Sequence, residues 1–189
     1  MFTLNALPNW MTIIRIAITP LIAVLIWIDD PTYGYQFALA LYTIASVTDY
    51  IDGYMARRLK VESPLGEMLD PIADKLLVAA VLLALASVIN SGWVFLAPAL
   101  IILIREFVVS GLREFLAKQS VSAPVTRLAK WKTTAQILAL GFLMGAPGFP
   151  KFPFAHEIGI TLLWVAAILT VQTGSGYFLS AVKHVTHSN

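Results

Sequence analysis

Long apolar runs, separated by short polar or glycine- and proline-rich breaks, account for most of the 189 residues. A helix needs about 20 consecutive apolar residues to cross the hydrocarbon core of a bilayer, and most of these runs are close to that length. The pattern therefore predicts an all-α integral membrane protein with six transmembrane helices, over residues 8–28, 35–56, 70–89, 93–115, 133–145 and 158–182. A polar lead-in from Arg127 precedes the fifth helix, and Pro71 predicts that the third helix starts or bends there. We expect one domain, residues 1–189, because no stretch is long enough to be a domain linker.

Composition supports a membrane protein and excludes several other classes. Hydrophobic residues make up 58% of the chain and charged residues 13%, with a mean hydropathy of +0.78, whereas soluble domains are close to half apolar. A net charge of +2 without a long basic run does not predict a nucleic-acid partner. Cysteine is absent, which excludes disulfides and thiolate metal sites. The first apolar run contains Arg15 and has no basic residue before it, so we expect a mature helix rather than a secretory signal.

Lysine and arginine are distributed unevenly between the two sets of connections. Nine lie in alternate connections or near the end of the chain: Arg57, Arg58, Lys60, Arg113, Lys118, Arg127, Lys130, Lys132 and Lys183. The opposite set contains Lys151 alone. Because basic connections stay on the cytoplasmic side of a membrane, we expect the basic connections, both termini and the polar end of the second helix to face the cytoplasm.

Aspartates where the second helix ends and the third begins conflict with their apolar surroundings. Residues three or four apart share a helix face. The two pairs, each beside small residues, are Asp49 and Asp52 with Gly53 and Ala56, and Asp70 and Asp74 with Gly66. A charge inside a bilayer costs about 2.5–3.5 kcal/mol and neighbouring carboxylates repel, so the cluster needs a cation. An all-oxygen ligand set favours Mg²⁺ or Mn²⁺, and salt bridges to Lys75 and Arg57 are the alternative.

These residues also carry a family resemblance. The pattern Asp49-x-x-Asp52-Gly53-x-x-Ala56-Arg57, followed by Gly66-x-x-x-Asp70-x-x-x-Asp74, resembles the signature of the CDP-alcohol phosphatidyltransferase family. The resemblance implies a six-helix enzyme of the bacterial inner membrane, usually a homodimer, whose cytoplasm-facing cavity binds a CDP-linked lipid and two divalent ions. It implies metal ligands at Asp49, Asp52, Asp70 and Asp74, a general base at Asp74, and CDP-lipid contacts at Asp52, Gly53, Ala56, Arg57 and Gly66.

Three flanking stretches are similar to the branch of the family that accepts glycerol 3-phosphate. The first is Leu7–Arg15, in which the resemblance brings Asn9 and Thr12 to the nucleotide. Judged by residue type alone, an Asn or Thr at such a position is more often a helix cap. The second is Arg105–Phe115, and the third is Lys130–Gln136, preceded by Ala129 where relatives often carry glycine. Arg105 and Glu106 are adjacent on a membrane helix, so we expect each to turn inward.

Basic residues in these stretches suit a doubly charged phosphate. The candidates for the acceptor phosphate, expected to gather beside the metal site, are Arg105, Arg113, Lys130 and Lys132, with Arg127 nearby. Two alternatives stay open: Arg105 forms a salt bridge to another helix, and the basic residues of the connection contact anionic lipid headgroups.

The resemblance implies transfer of the phosphatidyl group from CDP-diacylglycerol to sn-glycerol 3-phosphate, giving phosphatidylglycerol phosphate and CMP. The same signature serves relatives that use inositol phosphate or serine, so those acceptors are the first alternative. A divalent-cation transporter is the second, because acidic residues also line ion pathways. A transporter would distribute its charges along a crossing path, whereas these carboxylates cluster at one side of the membrane.

Overall fold

The computed structural model describes residues 7–28, 30, 33–59, 64–119 and 127–187. Within those ranges the secondary structure is helical and contains no strand. The helices are α1 Leu7–Trp27, α2 Gly34–Leu59, α3 Pro64–Val88, α4 Trp93–Lys118, α5 Arg127–Gly148 and α6 Ala155–His187. The prediction of six helices is therefore confirmed for the described part of the chain.

Helices α2 to α6 all extend beyond the predicted apolar runs, and α3 and α5 illustrate the reason. The sequence predicts that the third helix starts or bends at Pro71; a start there is wrong, since α3 begins at Pro64 and contains Pro71, and a bend stays a prediction. Pro64 suits the first helical position, where a proline's missing N–H has no partner to lose. Pro71, inside the helix, removes only the hydrogen bond to the carbonyl four residues before it. Helix α5 likewise continues through Pro147 to Gly148. The length of an apolar run reports the part of a helix that lies inside the bilayer. The helix itself continues as long as its backbone groups are hydrogen-bonded.

Four helices contain a segment long and apolar enough to cross a membrane within the described residues: Trp10–Trp27, Met68–Val88, Trp93–Lys118 and Ala155–Leu179. Helices α2 and α5 do not meet that measure. Helix α2 carries aspartates in its second half, and α5 opens with basic residues. The chain is therefore a helical membrane protein, and crossing by α2 and α5 stays a prediction.

The chain forms two compact units, and α5 contributes to both. Unit one contains α1, α2, α3 and the part of α5 from Leu140. Helix α1 packs against both α2 and α3, around buried side chains that include Ile22, Tyr42 and Leu85. The side-chain amide of Gln36 donates to the Gly148 carbonyl over 2.9 Å. This packing brings the polar ends of α2 and α3 against α1.

Unit two contains α4, the part of α5 up to Ala139, and α6 from Glu157. Its core includes the buried side chains of Phe95, Ile102 and Leu163. The indole N–H of Trp164 donates to the Val94 carbonyl over 2.9 Å, which joins α6 to the start of α4. A second group of charged residues lies inside this unit.

Candidate active site

Arg15 of α1 is the centre of the charged cluster in unit one. Its guanidinium Nη1 pairs with Asp49 Oδ1 of α2 and lies 3.3 Å from Asp74 Oδ1 of α3. The Arg15 side chain is 2% exposed, whereas those of Asp49 and Asp74 are 41% and 55% exposed. A buried cation thus joins two partly exposed carboxylates that would otherwise repel each other.

Thr12 extends this cluster by one turn of α1. Its hydroxyl donates to Asp70 Oδ1 over 2.6 Å, and the residue is buried. Thr12 and Arg15 are three residues apart and so share a helix face, which Thr19 continues by donating its hydroxyl to the Arg15 carbonyl over 2.8 Å. The buried polar face of α1 therefore contacts carboxylates from both halves of the sequence motif.

The structure brings Asp49, Asp70 and Asp74 to the same face of α1. Gly66 is buried in α3. The other residues predicted to contact the CDP-lipid or the metal lie in helices, but their side chains fall outside the described part of the chain: Asn9, Asp52, Gly53, Ala56 and Arg57. Within the described residues, no three acidic, histidine or cysteine side chains are grouped closely enough to hold a metal. The four-carboxylate metal site stays a prediction.

The donor chemistry of this cluster nevertheless fits a hard divalent ion. The Asp49 and Asp74 carboxylates converge on one positive charge, that of Arg15. Both are exposed enough to be reached from solvent, and their oxygens are the ligands that Mg²⁺ and Mn²⁺ prefer. Asp70 is also exposed, and its contact within this cluster is with the Thr12 hydroxyl.

Sequence reasoning assigned no site role to Arg15, although a signal for it was present. An arginine inside an apolar run costs about 2.5–3.5 kcal/mol unless it is paired. The alternative based on salt bridges named Lys75 and Arg57 as partners of the aspartates. The Arg57 side chain lies outside the described residues, and among those described Asp49 and Asp74 both pair with Arg15. Which carboxylates Arg15 contacts depends on how α1 packs against α2 and α3. Helical spacing carries no information about that packing.

A second charged cluster lies in unit two, around Glu106 of α4. The carboxylate of Glu106 pairs with Lys132 of α5, and Arg105 Nη1 lies 3.4 Å from the same oxygen. The side chains of Arg105, Glu106 and Lys132 are 12%, 20% and 8% exposed. The prediction that Arg105 and Glu106 both turn inward is therefore confirmed.

The other two predicted acceptor residues differ in their surroundings. Arg113 donates from Nη2 to the Tyr177 hydroxyl over 2.6 Å, and its guanidinium carbon lies 4.7 Å from the centre of the Tyr177 ring. Lys130 is exposed. Residues two apart on a helix point about 200° apart, so Lys130 and Lys132 lie on opposite sides of α5. Sequence reasoning missed Tyr177, because no charge marks it out.

Unit two also contains buried polar atoms without a protein partner. Gln136 Oε1 and Thr170 Oγ1 are fully enclosed and accept or donate no hydrogen bond within the described residues. Gln136 lies one turn after Lys132, on the same face of α5. Buried polar groups are nearly always satisfied by protein, water or ligand, so these two atoms mark a polar region within the otherwise apolar core of unit two.

Comparisons with known proteins bear on the family of the chain. The sequence profile described as CDP-alcohol phosphatidyltransferase matches residues 5–172. A Rickettsia bellii protein is 45% identical, with 94% of this chain and 96% of that protein aligned. Proteins from Pseudomonas fluorescens and Cereibacter sphaeroides are 37% and 35% identical, each aligned over 95% of this chain and 91% and 97% of their own lengths. All three are named CDP-diacylglycerol–glycerol-3-phosphate 3-phosphatidyltransferase. The chain belongs to the CDP-alcohol phosphatidyltransferase family.

Proposed function

We propose that this enzyme transfers the phosphatidyl group from CDP-diacylglycerol to sn-glycerol 3-phosphate, giving phosphatidylglycerol phosphate and CMP. Relatives named for this reaction are 35–45% identical over at least nine tenths of the chain. One structural observation carries the proposal: Arg15 and Thr12 of α1 contact carboxylates from both halves of the family motif. That convergence supports a single acidic site built from separate segments.

We assign the CDP-lipid and metal sites to unit one. The residues assigned to contact the CDP-lipid are Asn9, Thr12, Asp52, Gly53, Ala56, Arg57 and Gly66. The metal ligands are Asp49, Asp52, Asp70 and Asp74. A pair of Mg²⁺ or Mn²⁺ ions bound there would neutralise the diphosphate oxygens and stabilise the leaving group. Arg15 holds Asp49 and Asp74 together, so the protein itself limits the repulsion between these ligands.

Asp74 is assigned as the general base. Its carboxylate is partly exposed, so the primary hydroxyl of the acceptor can approach it. The hydroxyl proton passes to the Asp74 carboxylate as the hydroxyl oxygen bonds to the lipid-side phosphorus. The bond from that phosphorus to the bridging oxygen breaks, and CMP departs with the electron pair.

The acceptor phosphate is assigned to the cationic cluster of unit two. Arg105, Arg113 and Lys132 supply three cations and Glu106 one carboxylate, and the excess positive charge suits a phosphate dianion. The arginines add forked donors for phosphate oxygens. Lys130, predicted with this group, lies on the exposed side of α5. We assign it to the exposed edge of the same acceptor site, a position that also suits contact with anionic lipid headgroups.

The proposed setting is the inner membrane of a bacterium, with six crossings, one domain and a cavity facing the cytoplasm. Four apolar helices and bacterial relatives support a bacterial membrane protein. The nine-to-one distribution of basic residues supports the orientation. Glycerol 3-phosphate and CMP are soluble cytoplasmic compounds, which agrees with a cytoplasmic site, and we propose that the enzyme works as a homodimer.

An acceptor panel tests the function. Purified protein receives CDP-diacylglycerol labelled in the cytidine, with glycerol 3-phosphate, inositol phosphate or serine, each with and without EDTA. We expect CMP release when glycerol 3-phosphate is the acceptor and none with inositol phosphate or serine. EDTA should abolish that release, because the phosphate charges are then no longer neutralised. Release with another alcohol but not with glycerol 3-phosphate contradicts the proposal. Uptake of Mn²⁺ into protein-loaded vesicles without turnover of the lipid supports the transporter alternative.

A further inference from the structure

One face of α6 contacts both arginines of the cationic cluster. Thr170, Thr173, Gly174 and Tyr177 recur at the three- and four-residue spacing that aligns side chains along one side of a helix. All four, and the arginines of α4 that they contact, belong to unit two. We call this set the α6 face.

Arg105 is held by the α6 face through two of its nitrogens. Its Nε donates to the Thr170 carbonyl over 3.1 Å, and its Nη2 donates to the Thr173 hydroxyl over 3.0 Å. The third nitrogen, Nη1, lies 3.4 Å from Glu106. A guanidinium has five N–H donors, so these contacts fix its plane and still leave donors on Nη1 and Nη2 for an anion.

Gly174 makes room for the stem of Arg105. A Cβ at this position would lie 3.2 Å from Arg105 Cγ and 3.3 Å from its Nε, closer than ordinary van der Waals contact. Glycine inside a helix is destabilising relative to alanine, so its presence in the middle of α6 needs a reason. Close passage of the arginine side chain supplies that reason.

Tyr177 holds the second arginine. Its hydroxyl accepts from Arg113 Nη2, and its ring lies beneath the guanidinium. Tyr177 is buried, while Arg113 is exposed. A long exposed side chain ordinarily samples several rotamers, so a buried ring and hydroxyl restrict Arg113 to a smaller set.

We propose that the α6 face is a positioning surface that fixes the directions of Arg105 and Arg113 for a phosphate-bearing acceptor. The inference rests on the proposed function. Its residues act through the arginines, and binding improves because less side-chain freedom is lost when the anion arrives. The match to the family profile ends at residue 172, so Thr173, Gly174 and Tyr177 lie outside the matched range.

Two variants with matched controls in α6 test the proposal in the full-length purified protein. Gly174→Ala adds a methyl group against Arg105, whereas Gly176→Ala adds one where nothing lies within 4 Å. Thr173→Val removes a hydroxyl that bonds the Leu169 carbonyl and accepts from Arg105. Thr161→Val removes a hydroxyl whose bond, in the part of the chain that is described, is to the Glu157 carbonyl of its own helix. Each control reproduces the local helix change without the arginine contact.

We expect Gly174→Ala and Thr173→Val to raise the KM for glycerol 3-phosphate by roughly tenfold, with the KM for CDP-diacylglycerol within about twofold of wild type. Both controls should match wild type. Test variants that behave like their controls overturn the proposal. An equal rise in both KM values overturns it as well, because that pattern indicates general loss of structure.

A second measurement separates this proposal from the proposed reaction. Inorganic phosphate should raise the thermal unfolding midpoint of wild type and both controls, because an anion bound to the native state stabilises it. The shift should shrink in Gly174→Ala and Thr173→Val. Wild type that shows this shift but no turnover of glycerol 3-phosphate contradicts only the proposed function. No phosphate-dependent shift in wild type, or an equal shift in all variants, contradicts the positioning surface.

Discussion

Arg15 is the residue on which the arrangement of the acidic cluster depends. Arg15→Ala removes the buried cation between Asp49 and Asp74. We expect the rate of CMP release to fall at least about a hundredfold, since misplaced catalytic groups lose this much. The free energy of unfolding should fall by about 1–3 kcal/mol, less than for a fully buried pair because the carboxylates are partly exposed.

Thr19→Val is the matched control for this variant. It removes a hydroxyl from the same face of α1 whose bond, among the described residues, is to the Arg15 carbonyl. Steady-state kinetics and thermal unfolding should place this control near wild type. An Arg15→Ala enzyme with unchanged turnover would contradict an organising role for the arginine.

A substitution of Asp74 should affect the chemical step much more than substrate binding. Asp74→Asn keeps the size of the side chain but cannot accept the hydroxyl proton, so we expect turnover to be abolished while the protein folds and retains most CDP-lipid binding. CMP release and equilibrium binding of CDP-diacylglycerol measure the two effects. Glu114→Gln, which removes an exposed pair with Lys118, serves as control and should be active. Preserved activity in Asp74→Asn would exclude the base assignment.

At the residue scale, helical spacing predicted which aspartates share a face, because spacing depends only on the local backbone. The grouping of Asp49, Asp70 and Asp74 at α1 needed tertiary structure. Arg15 is 34 residues from Asp49 and 59 from Asp74 along the chain. Nothing in the local pattern distinguishes it from Lys75 or Arg57 as a partner.

Helix α5 presents two lysines to different surroundings. Lys132→Ala leaves the largely buried Glu106 without one of its two cations, so we expect the KM for glycerol 3-phosphate to rise by about tenfold or more. Lys130→Ala removes an exposed charge on the other side of the helix and should change the KM by less than about threefold. Equal effects of the two variants on this KM would contradict the idea that burial and helix face determine the roles of Lys130 and Lys132.

At the scale of elements, apolar length predicted that each helix exists, and it underestimated where several of them end. Helix α3 begins six residues before Asp70, and α5 continues through Pro147. A hydropathy pattern reports the stretch inside the bilayer. Helix ends depend on backbone pairing outside it, and the Gly148 carbonyl at the end of α5 is paired with Gln36, more than a hundred residues away.

The cysteine-free chain allows a direct test of orientation at the scale of the whole molecule. Lys118→Cys and Lys151→Cys each introduce a single thiol at an exposed position. With a maleimide that cannot cross membranes, we expect the cysteine at position 151 to react in intact spheroplasts and the one at 118 to react only after lysis. The reverse pattern would contradict a cytoplasmic site.

For the whole molecule, composition and the aspartate motif together predicted a helical membrane enzyme of the right family. The division into two compact units was not predictable, because α5 is one continuous helix that contributes to both. No break in apolar pattern or composition marks the point between Ala139 and Leu140. That division depends on which helices each half of α5 packs against.

Identification of the lipid product tests the central claim most directly. Purified enzyme is incubated with CDP-diacylglycerol, sn-glycerol 3-phosphate and Mg²⁺, and the lipid and nucleotide products are quantified together by mass spectrometry. We predict phosphatidylglycerol phosphate and CMP in equal amounts, with neither formed by Asp74→Asn. CMP without phosphatidylglycerol phosphate, or no product from either substrate in protein that is shown to be folded, would contradict the assignment.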